Sequence, residues 1–281
     1  AETARELGIV VVSVNYRLAP EHPFPAAHDD IHAGWRWLQR NAAQLGVDRT
    51  RIVVGGESAG GGLAAGVVQR IRDEGGVQPI GQWLFAPMID DRTATDRALD
   101  AIDHPVWNNR FNRAGWGAYL GDRAGGDAVS PYAAAARAEN VAGLPPAYLA
   151  VGDIELFFAE VRDYARRLAD AGVPTTLDIV AGGPHGFESW ARDTEPARAL
   201  IARESTVVVG GDEGDAGGWV AVVGLPAGAG ELQDAAGQLL HVPVRRVFQR
   251  VVSRAFVAEV VVATLPTVGE VLRMVDMAQF R

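Results

Sequence analysis

The sequence contains no cysteine and no lysine. Without thiols there can be no disulfide framework, no thiolate metal site and no cysteine nucleophile. All 26 basic residues are arginine, a bias consistent with codon usage that carries no mechanistic weight. Clustered positive charge is also missing. Against the 35 acidic residues the arginines leave a formal charge of −9 and a pI of about 5.2. Phosphate binding needs concentrated positive charge, so a nucleic-acid partner is not expected and a small neutral or weakly polar one is. No apolar run approaches the roughly 20 residues that span a bilayer. No basic segment followed by an apolar stretch opens the chain, so no targeting signal is read and the cytoplasm is the default compartment.

What is present fits a globular enzyme. At 281 residues, 48% of them hydrophobic and 22% charged, the chain can bury one substantial core with some appended material. The first residue is Ala1, and Ala1 to Leu7 reads as the end of a helix feeding a strand, which gives the expectation that the chain starts within a domain. Ile9 to Asn15 is a nearly continuous β-branched run, the pattern of a strand buried on both faces of a parallel sheet. Ile31, Trp35, Leu38 and Leu45 recur at helical spacing, and Gly46 stands where that helix would stop. Arg51 to Gly55, Ile80 to Ala86, Ala147 to Val151 and Thr175 to Val180 read as further strands. Ser58 to Glu74, Glu160 to Ala171 and Phe187 to about Arg203 read as helices. This alternation implies βαβ units and an α/β fold with a mostly parallel sheet.

Two stretches depart from the alternation. Residues 90–127 lack strand patterning and carry Trp107, Phe111, Trp116 and Tyr119, so they read as a helical, cap-like insertion over the sheet ends. From about Ser205 the texture changes. Gly210 to Asp215 looks like a linker, and Val242 to Phe280 is rich in Val and Arg without clear turn signals. The expected organisation is a catalytic domain over 1–204 and, over 205–281, either an appended helical element or sequence foreign to the fold.

Gly56-Glu57-Ser58-Ala59-Gly60 follows the strand ending at Val53-Val54 and precedes a helix rich in small residues. In that setting Gly-x-Ser-x-Gly reads as a nucleophile elbow: a turn so tight that the serine is held at a strained backbone angle at the strand end. The helix it opens turns free N–H groups toward the site, and Ala59 would donate one of them to an oxyanion. A serine hydroxyl needs an adjacent base, and His185 is the candidate, on the loop after the fifth strand and in the chain order expected of such a fold. The acid should follow the fourth strand, where Val151-Gly152-Asp153-Ile154-Glu155-Leu156 offers two carboxylates, Asp153 and Glu155. Glu57 and the Tyr16 to Glu21 segment read as scaffolding, and Glu160 as a structural or solvated residue.

Residues 9–204 resemble the hormone-sensitive-lipase-like branch of the α/β hydrolases. The resemblance rests on Tyr16-Arg17-Leu18-Ala19-Pro20-Glu21, Pro23-Phe24-Pro25-Ala26-Ala27, Asp30, the serine pentapeptide with Gly61, Gly143-Leu144-Pro145-Pro146 and His185-Gly186-Phe187. It implies an α/β-hydrolase fold with a partial helical cap, and a cofactor-free esterase acting on small-molecule carboxylic esters. Counted back from Tyr164-Ala165, the family's acid falls on Glu155, where Asp is usual, with Asp153 as the alternative. The family also places a His-Gly-Gly-Gly stretch before the strand matching Ile9 to Asn15, to complete the oxyanion hole. No His-Gly-Gly run occurs anywhere in this sequence. The resemblance therefore also carries a second expectation: an N-terminally incomplete domain, lacking its first strands and with little or no turnover.

Overall fold

The computed structural model describes residues 10–209 and 260–264. Its centre is a sheet made of β1 (Val10–Val14), β2 (Val53–Glu57), β3 (Gly81–Phe85), β4 (Ala147–Gly152), β5 (Thr175–Val180) and β6 (Val260–Thr264). The strands lie in the order β1-β6-β2-β3-β4-β5. From β2 to β5 every pairing is parallel, as alternating strands and helices require. The helices are α1 (Ala26–Asn41), α2 (Ala59–Glu74), α3 (Asn109–Leu120), α4 (Phe158–Asp170), the single turn α5 (Phe187–Trp190) and α6 (Glu195–Val209).

The core lies where α2 packs on β2 and β3 and α4 on β4 and β5. Val54, Leu84, Leu149 and Leu168 are fully buried there, and Ile31 and Leu38 of α1 are fully buried in the same core. Each such side chain removed from water is worth about 1.5–3 kcal/mol. The strands β2 and β4 are buried along their whole length, which is why β4 is a continuous apolar run closed by glycine and β2 carries a single charged residue, Glu57, at its end. β1 differs from its expected two-face burial: Val10, Val12 and Val14 are buried while Val11 and Ser13 are only partly covered. Among the described strands β1 lies at a sheet edge, so its second face has fewer elements to pack against.

Of the segment after Ser205, Val260–Thr264 is a strand between β1 and β2, antiparallel to both, with Val262 opposite Val12 on one side and Val54 on the other. Its Val-rich run has the β-branched character that suits a pleated ladder. The Gly210 to Asp215 linker and the rest of the Val242 to Phe280 segment lie outside the described residues. The single helix read over Phe187 to Arg203 is two helices, α5 and α6, separated by Ala191 to Thr194. Pro196 has no N–H to bond the carbonyl one turn back, so a continuous helix cannot run through it. The insertion over 90–127 holds α3 and short 3₁₀ turns. Buried Asp91 anchors it through paired hydrogen bonds from the Arg137 guanidinium, at 2.7 and 2.9 Å, and one from Gly125 N–H, at 2.6 Å. Glu160 is buried and accepts hydrogen bonds from Ile89 N–H and Asp90 N–H at the start of that insertion, and one from the Thr93 hydroxyl.

One core residue makes the stability of this fold pH-dependent. The imidazole of His28, on α1, is buried and stacked on Tyr132 with ring centres 5.6 Å apart. Burial holds its pKa down to about 4, against 6.5 for the free side chain. Between those values the unfolded chain binds a proton that the folded chain refuses. The contribution is therefore complete above pH 6.5 and is lost as pH falls toward 4. A His28→Gln variant, which cannot titrate there, is expected to lose about 3 kcal/mol less stability than the parent over that window. Urea unfolding of both proteins at pH 7 and pH 4 measures the difference, and equal losses would contradict it.

Candidate active site

The elbow forms where β2 ends and α2 begins. Ser58 has φ of 56° and ψ of −120°, a left-handed region that non-glycine residues seldom occupy. The surroundings hold it there. Ser58 N–H donates to the Phe85 carbonyl at 2.8 Å, and the Ser58 carbonyl accepts from Met88 N–H at 2.9 Å and Gly62 N–H at 3.0 Å. The turn is closed so tightly that a β-carbon on Gly56 would stand 2.4 Å from the Gly60 carbonyl carbon. Ala59 is the first residue of α2, so its N–H has no acceptor one turn back within the helix.

The loop after β5 brings His185 to this turn. Its Nε2 lies 2.9 Å from Ser58 Oγ, across 127 residues of chain. Its Nδ1 lies 2.6 Å from Glu155 Oε2. The imidazole is 7% exposed. Phe157 meets it edge-on at 5.3 Å between ring centres and Trp107, from the insertion, lies at 6.2 Å. Glu155 is buried, and its Oε1 has no hydrogen-bond partner, an unusual state for a buried carboxylate outside a functional site.

Of the two carboxylates on the loop after β4, the structure brings only Glu155 to His185. Asp153 is exposed and accepts the Gly182 N–H at 2.7 Å, which ties its loop to the one that carries His185. The other described histidines are elsewhere: His28 is in the core and His32 is paired with Glu74 at 2.9 Å. His241 lies outside the described residues. Trp116 is buried, and with Tyr119 it helps line a narrow pocket of about 30 Å³ whose other walls include Tyr16, Leu18, Ala59, Leu63 and Met88.

Three residues of α5 border the site although the sequence does not single them out. Ser189 donates a hydrogen bond to Glu57 Oε2 at 3.0 Å. Trp190 Nε1–H donates to the His185 carbonyl at 3.2 Å. Glu188 has its pKa raised to about 7, chiefly by burial, with the charge of Glu155 adding to the effect. Nothing in the pattern around Phe187 distinguishes these positions from the face of an ordinary helix. Among the described residues no cluster of histidine and carboxylate side chains could hold a metal ion. No helix among them is long and apolar enough to cross a membrane.

Comparison with known proteins places this geometry. The esterase LipI of Mycobacterium tuberculosis is 40% identical over 188 residues, which are 65% of this chain and 57% of LipI. A bacterial heroin esterase of known structure superposes with a TM-score of 0.65 at 38% identity, over 68% of this chain and 61% of that one. An esterase from the bacterial hormone-sensitive lipase family superposes with a TM-score of 0.59 at 32% identity, over 69% of this chain and 63% of that one. The chain thus spans about three-fifths of the length of these relatives. A family model described as alpha/beta hydrolase fold matches residues 1–189, and the chain belongs to that family, in its hormone-sensitive-lipase-like branch.

Proposed function

We propose that this chain is a serine carboxylesterase acting on short- to medium-chain acyl esters, with Ser58 as nucleophile, His185 as general base and acid, and Glu155 as the carboxylate that orients His185. The observation that carries the reading is the unbroken chain Ser58 Oγ, His185 Nε2, His185 Nδ1, Glu155 Oε2, with contacts of 2.9 and 2.6 Å. As Ser58 Oγ attacks the ester carbonyl, its proton passes to His185 Nε2. The imidazolium so formed keeps its Nδ1–H on Glu155, which stays ionised. Ala59 N–H donates to the developing oxyanion at the positive end of α2. Collapse of the tetrahedral adduct returns the proton from Nε2 to the departing alkoxide and leaves Ser58 acylated. Water then attacks the acyl carbonyl as His185 Nε2 takes its proton, and collapse breaks the bond to Ser58 Oγ, returns the proton to Oγ and releases the acid. Each proton moves between named atoms, so no metal or organic cofactor is required. The apolar pocket beside Ala59 suits a short alkyl arm, and LipI and the heroin esterase bear esterase names.

A second reading, a chain that holds the family site with little turnover, turns on the oxyanion hole, for which Ala59 N–H is one donor among the described residues. Loss of one such donor typically costs about 10²–10³ in turnover. In that case the chain has the family site and little activity. Hydrolysis of p-nitrophenyl acetate, butyrate and palmitate separates the two. The esterase reading expects saturable hydrolysis of acetate and butyrate well above buffer, and palmitate left nearly untouched. Rates equal to buffer for all three establish the second reading instead.

A further inference from the structure

Glu57 is a buried ionisable group beside the nucleophile that the proposed mechanism leaves unused. It stands next to the nucleophile at the end of β2, is 4% exposed, and points away from Ser58 toward the loop that carries His185. There it makes two contacts. Its Oε2 accepts the Ser189 hydroxyl at 3.0 Å. Its Oε1 lies so close to Gly186 that a β-carbon on that residue would come within 2.9 Å of it. Gly186 has φ of 65°, so glycine is favoured there twice, by backbone angle and by the proximity of the carboxylate. The His185 loop is thus seated on the side chain that adjoins the nucleophile, and Trp190 holds the same loop from its other end through the His185 carbonyl.

We propose that Glu57 is a positioning residue: through Ser189 and Gly186 it sets the His185 loop, and hence Nε2, at hydrogen-bonding distance from Ser58. This rests on the esterase reading and deepens it. The charge environment is consistent with the role. Burial raises the pKa of Glu57, with the charge of Glu188 and, more weakly, that of Glu155 adding to the effect, while the Ser189 hydrogen bond and the charge of Arg192 oppose it. Glu57, Glu155 and Glu188 are the carboxylates on the elements around His185, and Arg192 is the nearby cation. A side chain that merely fills space would not need its carboxylate oxygens on the loop that moves the proton.

Glu57→Gln keeps the shape and an acceptor oxygen for Ser189. Glu57→Ala removes both, and Ser189→Ala removes only the donor at a half-buried position that threatens the fold little. The test compares kcat and KM for p-nitrophenyl butyrate and records the low-field proton NMR signal of the His185 Nδ1–H held by Glu155. Expected are a fall in kcat of roughly 10- to 100-fold in Glu57→Ala and about 10-fold in Ser189→Ala with KM unchanged, since small displacements of a catalytic group cost rate rather than binding. Glu57→Gln should keep most of kcat, because it retains the acceptor oxygen that holds Ser189. The NMR signal should persist in the parent and in Glu57→Gln and broaden in the two alanine variants. Parent-like kcat in Ser189→Ala together with an unchanged NMR signal in both alanine variants overturns the proposal. If the parent itself shows no hydrolysis, the esterase reading fails and the NMR signal alone decides the positioning role.

Discussion

Ser58→Ala is expected to reduce ester hydrolysis by at least ~10⁴-fold while leaving the fold intact. The size follows from what is removed. Without Oγ no acyl-enzyme can form and His185 has no proton to take from the nucleophile; in serine hydrolases generally, loss of the nucleophile costs about as much as loss of the whole triad. What survives is transition-state binding by Ala59 N–H and the pocket walls. Thermal unfolding should barely change, and alanine at 58 still faces the strained φ of 56°, so any shift should be of the order of 1 kcal/mol. Stopped-flow traces add a separable sign. The parent should release a burst of p-nitrophenolate equal to the enzyme concentration when deacylation is slow, and the variant none. Parent-like hydrolysis in Ser58→Ala would remove Ser58 from the mechanism.

The second large effect separates the two carboxylates that the sequence leaves open. Glu155→Gln is expected to cost about 10⁴-fold in kcat near neutral pH, because an amide in place of the carboxylate favours the wrong imidazole tautomer and cannot stabilise the imidazolium. Asp153→Asn should cost little. Its Oδ1 bonds the Gly182 N–H, a contact that the asparagine carbonyl can reproduce. The two variants remove the same formal charge two residues apart, so long-range electrostatics cannot explain a large difference between them. A comparable loss in both would mean that loop integrity governs the rate, and a larger loss in Asp153→Asn would transfer the role to that residue.

The legibility of the protein from its sequence divides along physical lines. The parallel strands and the helices between them were readable because fully buried strands need continuous apolar runs, as in Ala147 to Val151, and because Gly46 and Gly75 end helices where the periodicity stops. The elbow was readable because its geometry tolerates so few residues at Gly56. The pairing of Ser58 with His185 across 127 residues could be anticipated from chain order, since both lie at the C-terminal ends of strands in one sheet. What remained hidden depends on side-chain direction. Asp153 and Glu155 sit on one loop and only the fold shows that one faces Gly182 and the other His185. The break between α5 and α6 was signalled by Pro196, yet the apolar spacing on either side masked it. The strand Val260–Thr264 was unreadable as part of the sheet because the partners of Val262, Val12 and Val54, are 250 and 208 residues away, and a Val-rich run says nothing of where it will pair. Glu57 was read as scaffolding from its place beside Ser58. Its contacts with Ser189 and Gly186 appear only when the His185 loop is folded onto it.

Activation of Ser58 by His185 is the central step, and covalent trapping tests it most directly. A fluorophosphonate probe should add one equivalent to the protein, peptide mapping should place it on Ser58, and His185→Ala should slow labelling by several orders of magnitude. Label found on any other residue, or labelling of His185→Ala at the parent rate, would contradict it.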